Sequence, residues 1–187
     1  MPLMSRGANV PLTREIPGLR QVVVGVTWNG NAEPVLQDNL VLAAVLCDSA
    51  SKALSAEHFV FVNQLTSPDL SVHRLEHALA GDQEQVEIDL PDVPPEVSRV
   101  AFVLFVNEGT AARRTLGQLR QLSVCVRDGA DNRELVRSEN LAPALSTETA
   151  LVLGEVYRHR SDWKFKVVGE GYASGIAGVA SDYGLPL

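Results

Sequence analysis

With 187 residues, 45% of them hydrophobic and 21% charged, the chain has the length and apolar content for one domain spanning residues 1–187, and not for a disordered tail. Its net charge of −7 argues against nucleic acid as a partner, because phosphate binding needs clustered Lys and Arg. No stretch reaches the ~18 consecutive apolar residues of a membrane span.

The opening Met1-Pro2-Leu3-Met4-Ser5 lacks the apolar core of a signal peptide, so the expected location is the cytoplasm. An integral membrane protein is not predicted, while peripheral contact with a membrane is compatible with the sequence.

Taken in chain order, short Val-rich runs predict strands over 20–28, 40–47, 57–63, 84–90, 99–106, 121–127, 133–138, 149–159 and 163–169. Gln85-Val86-Glu87-Ile88-Asp89-Leu90 alternates apolar with polar, as does Trp163-Lys164-Phe165-Lys166-Val167. Period-two alternation puts one face on a core and the other in water. Val100 to Val106 is apolar throughout, which predicts a central strand covered on both faces. Turn chemistry separates the runs at Asn29-Gly30, Ser67-Pro68-Asp69, Pro91 to Pro95 and Asp128-Gly129. The predicted class is all-β, a β-sandwich of two mainly antiparallel sheets with one or two short helices. Residues 172–181 are the main helical candidate, and a short turn fits 111–119.

Chemistry-bearing residues are sparse. Cys47 and Cys125 lie in apolar runs and read as buried free thiols. His73 and His77 stand four apart with Glu76 between them, a spacing that would present two metal ligands on a helix. The segment lacks helical length and an evident third ligand, so these read as surface histidines, and His159 reads as structural at a strand end. Ser146-Thr147-Glu148 reads as a turn, since a nucleophilic serine needs a strand–turn–helix setting and a base. The glycines at 169, 171, 175 and 178 do not follow a strand and open a helix as a dinucleotide fingerprint does. Arg113, Arg114 and Arg120 read as a solvated basic edge, and Tyr157, Trp163 and Tyr172 as an aromatic core or sheet-face cluster.

The C-terminal third carries a resemblance. Ser146-Thr147-Glu148-Thr149-Ala150, Gly154-Glu155-Val156-Tyr157-Arg158-His159 and Trp163-Lys164-Phe165-Lys166-Val167-Val168-Gly169-Glu170-Gly171-Tyr172 closely resemble the TerD family of bacterial tellurium-resistance and general stress proteins. Arg6 to Thr13, Pro17-Gly18-Leu19 and Val24 to Trp28 resemble its opening, and Asp182-Tyr183-Gly184 its ending. The resemblance implies a two-sheet sandwich that binds calcium through acidic loops and has no established catalytic activity.

Those loops depart from the family pattern. Gln37, Asn39 and Val41 stand where the family carries three carboxylates, and only Gly81, Asp82 and Glu84 remain of the next acidic loop. A third loop reads Val106-Asn107-Glu108-Gly109. Calcium takes ~6–8 oxygen ligands and gains affinity with carboxylate count. The remaining candidate ligands are Asn39, Asp82, Glu84, Asn107 and Glu108, a set that predicts calcium at low affinity only and no other cofactor. The expected function is therefore a non-enzymatic stress-response protein acting through contacts with other stress-response or TerD-like proteins. A calcium-binding protein with a weakened site and a small-molecule-binding module are the alternatives.

Overall fold

The computed structural model describes residues 3–30, 33–111 and 114–186. Its strands are β1 (Asn9–Pro11), β2 (Gln21–Asn29), β3 (Leu40–Cys47), β4 (Phe59–Val60), β5 (Val72–Arg74), β6 (Glu84–Asp89), β7 (Arg99–Val106), β8 (Gln121–Asp128), β9 (Glu134–Arg137), β10 (Ala150–His159) and β11 (Asp162–Tyr172). Short helices α1 (Pro34–Gln37), α2 (Glu108–Ala111) and α3 (Gly175–Tyr183) interrupt or follow them.

Two antiparallel sheets result, as the sequence predicts. The larger runs β1-β11-β10-β7-β3-β4 and the smaller β5-β6-β2-β8-β9. Alternation decides what each face meets. Val22, Val24 and Val26 of β2, with Val86 and Ile88 of β6 and Val124 and Val126 of β8, point at the larger sheet. They meet Leu42, Ala44 and Leu46 of β3, Phe102 and Leu104 of β7 and Phe165 of β11 in one core. Trp163 and Phe165 both join it, and Trp163 is stacked by Arg158 with the guanidinium carbon 4.3 Å from the ring centre.

The uninterrupted apolar run of β7 has a direct cause. Ala101, Val103 and Phe105 point away from the main core into a second cluster, under Val179 and Ala180 of α3 and Leu185. A strand between a sheet and a covering helix has no wet face. Gly184 ends α3 in the left-handed conformation (φ 68°), its N–H returning to the carbonyls of Ala180 and Ser181.

Three sequence expectations change. Only Phe59–Val60 of the predicted 57–63 run is strand, because a 3-10 turn at Ala56–His58 precedes it and Phe61 and Gln64 close a tight turn after it. Strands β1 and β5 are three residues each, too short to show a period. The helix lies at Gly175–Tyr183, because Tyr172 still pairs with Ala150 as strand.

Candidate functional site

The acidic positions singled out by the sequence lie around the start of β6. Asp82 ends the loop before β6, and its side chain is fully buried on the outer face of the smaller sheet. Thr27, Cys125 and Arg127 surround it, all at outward positions of β2 and β8 that alternate with core valines. Arg127 Nε donates to Asp82 Oδ2 at 2.9 Å and its Nη2 donates to Oδ1 at 3.2 Å. Gln85 Nε2 donates to Oδ2 at 2.7 Å and Thr27 Oγ1 to Oδ1 at 3.2 Å. Burial pushes the Asp82 carboxyl upward, but hydrogen bonds from Arg127 and Gln85 and the arginine charge outweigh it and hold the group below its usual range. The close approach needs Gly25, since a Cβ there would stand 2.0 Å from Asp82 Oδ2.

Glu84 points the other way, between the sheets. Its Oε1 accepts from Leu42 N of the larger sheet at 3.1 Å and from Arg74 Nη2 at 2.7 Å. The two carboxylates, two residues apart in sequence, thus lie on opposite faces of the smaller sheet and each faces its own arginine.

The remaining candidates sit where the start of β3 lies beside the end of β7. Asn107 N donates to Asn39 O at 2.9 Å, so these two backbones are adjacent. The Asn39 side chain turns back on α1, with Nδ2 donating to Val35 O at 2.6 Å. Gln37 Oε1 accepts from Gly30 N at 2.6 Å, and Val41 packs in the outer apolar cluster beneath α3. Glu108 begins α2, and its side chain lies outside the described residues. The structure joins Asn39 to Asn107 through the backbone and does not bring the Asp82 and Glu84 carboxylates to one point.

A different group converges. His73 lies on β5 and not on a helix, and the β5–β6 register sets it directly beside Glu87. Asp89, two residues along β6, shares that face, with Oδ2 3.2 Å from His73 Nε2. One ligand atom from each of the three residues falls within 4.8 Å of the others, and all three are half-buried. Gln21 of β2 lies opposite Asp89, and its Nε2 donates to Asp89 Oδ1 at 2.6 Å and to Glu87 Oε1 at 3.3 Å. Burial first, and then the Asp89 charge, raise the Glu87 carboxyl above its usual range. A cleft of about 490 Å³ opens beside the group, with Gln21 and Asp89 in its wall along with Leu19, Pro91 and Arg133. The sequence held half the signal, since the outward positions 85, 87 and 89 are visible in the alternation. The other half is the pairing of β5 with β6, which chain order hides.

Other singled-out residues take plain structural parts. Both cysteines are free and buried, and burial pushes each thiol up to about 12. Glu148 accepts from Ser146 N at 2.7 Å, which makes the Ser146-Thr147-Glu148 stretch a turn. The three aromatics do not cluster, because Trp163 faces the main core while Tyr172 packs on the opposite face near α3. Arg114 is 3.3 Å from Glu33, and Arg113 lies outside the described residues.

Comparison with known proteins decides the family. The family model described as "TerD domain" matches residues 2–183. The chain belongs to the TerD family. General stress protein 16U of Bacillus subtilis (strain 168) is 37% identical to it, over 98% of this chain and 97% of that protein. Tellurium resistance protein TerD of Serratia marcescens is also 37% identical, over 97% of this chain and 96% of that protein. A crystal structure of a TerD homologue from Streptomyces coelicolor superposes with a TM-score of 0.66. It is 20% identical and covers 87% of this chain and 96% of its own, so it shows the TerD fold alone. No described helix is long and apolar enough to cross a membrane.

Proposed function

We propose that this TerD-family chain is a non-enzymatic bacterial stress-response protein that works in the cytoplasm through contacts with other stress-response or TerD-like proteins. In this reading the calcium sites implied for the family are largely lost. One observation carries it: Asp82 and Glu84, the carboxylates left from an acidic loop, are each bonded to an arginine of the same chain.

A guanidinium is a permanent, weakly hydrated cation that satisfies a carboxylate with fixed N–H donors. A calcium ion would have to displace both arginines, leaving buried charges unpaired. The neutral oxygens do not make good the loss. The Gln37 carbonyl oxygen is taken by Gly30 N, and Val41 offers none. These residues do not fit a calcium ion of sensor affinity. With the scaffold kept and the acidic calcium loops taken up by internal ion pairs, surface contact is the activity this reading assigns to the fold.

Isothermal titration of chelator-treated protein with calcium tests this. The expected result is no binding with a dissociation constant below ~10⁻⁵ M, the weak end of the sensor range. A submicromolar constant that disappears in Asp82→Ala would overturn it.

A further inference from the structure

We propose that His73, Glu87 and Asp89 form a binding site for a divalent transition-metal ion of the zinc type, on the outer face of the smaller sheet and apart from the acidic loops. The donor set is one imidazole nitrogen and two carboxylates, ligand types that zinc takes, and three protein ligands leave a fourth position open. It is a poor match for calcium, which takes ~6–8 oxygens and no nitrogen. Two carboxylates also balance the charge of a divalent ion.

The geometry is close to what such an ion needs. Ligand atoms held at about 2.0–2.2 Å from one centre stand roughly 3–4 Å apart. His73 Nε2 and Asp89 Oδ2 are already 3.2 Å apart, and the third ligand atom lies within 4.8 Å of both. Glu87 therefore closes by a side-chain adjustment, without backbone movement. The three residues project from paired strands, which fix them more precisely than a loop would.

Supporting hydrogen bonds surround the group. Gln21 donates to Asp89 Oδ1 and leaves Oδ2 facing the histidine. Thr66 Oγ1 lies 3.5 Å from His73 Nδ1, on the far side of the ring from the proposed ion. Such contacts orient the ligands and set the tautomer. The adjoining cleft gives the fourth position access to water or a small ligand.

The test is a titration of metal-stripped, full-length protein with Zn²⁺ in competition with a chromophoric chelator. The expected result is one equivalent bound, with affinity reduced at least ~10-fold in His73→Gln and in Asp89→Asn. His77→Gln, altered in the same segment but outside the group, should bind as the parent does. Circular dichroism on each variant confirms that folding is kept, and Glu87→Gln replaces any variant that fails to fold. Cobalt(II) added in place of zinc should give a visible absorption band that His73→Gln abolishes. Absence of zinc binding, or binding that survives His73→Gln and is lost in His77→Gln, would overturn the proposal.

Discussion

Arg127 grips Asp82 with two nitrogens, Nε 2.9 Å from Oδ2 and Nη2 3.2 Å from Oδ1, on the buried outer face of the smaller sheet. The pair ties the loop before β6 to β8 across β2, and it turns a residue of an acidic loop into an internal anchor.

Removing one member leaves a buried charge without its partner. Asp82→Asn and Arg127→Ala should each lower stability by about 3–5 kcal/mol, read from urea denaturation midpoints at pH 7. The double variant should cost less than the two singles together, because the pair acts as a unit.

Acid should loosen the same contact. The folded Asp82 carboxyl sits below its usual range, while an unfolded aspartate titrates near ~3.9. Its contribution is therefore fully present above about pH 4 and is lost as pH falls through the lower folded value. Denaturation midpoints measured between pH 6 and pH 2 should fall less steeply in Asp82→Asn than in the parent.

Gly25 is a steric requirement of this anchor. An alanine Cβ would stand 2.0 Å from Asp82 Oδ2 and 3.2 Å from Cys125 Sγ. Gly25→Ala should cost roughly 1–3 kcal/mol by overpacking and strain, and should add little in the Asp82→Ala background, where the clashing carboxylate is gone. Thermal melts of the three variants check it.

Cys47 and Cys125 should be inert in the native state. Both thiols are buried and pushed up to about 12, so almost no thiolate exists at pH 7.5. A chromogenic disulfide reagent should report no fast-reacting thiol in buffer and two in denaturant.

Trp163 is the mechanical test of the C-terminal hairpin. It is 6% exposed, joins the main core and is stacked by Arg158, which also donates to the carbonyls of Val93, Pro94 and Val97. Trp163→Ala should cost about 3–5 kcal/mol in urea denaturation.

Much of the fold was legible because the long strands advertise themselves. Trp163-Lys164-Phe165-Lys166-Val167 alternates, and those apolar side chains do face the core. Val100 to Val106 does not alternate, and α3 covers the face that would otherwise be wet. Strands β1 and β5 were illegible because three residues carry no period. The destinations of Asp82 and Glu84 were illegible too, since their opposite directions depend on the loop entering β6 and their arginines stand at 127 and 74. Along the chain the spacing pairs His73 with His77, whereas its neighbours in the fold come across the sheet.

The measurement that tests the central claim most directly is the thermal midpoint of chelator-treated protein with 1 mM calcium and with excess chelator. A site with a dissociation constant near 10 μM would add about 2.7 kcal/mol under those conditions. For a domain of this size that is a rise of roughly 5–10 °C. With Arg127 and Arg74 already holding Asp82 and Glu84, the account predicts the same midpoint in both buffers. A rise of that size, abolished by Asp82→Asn or Glu84→Gln, would contradict it.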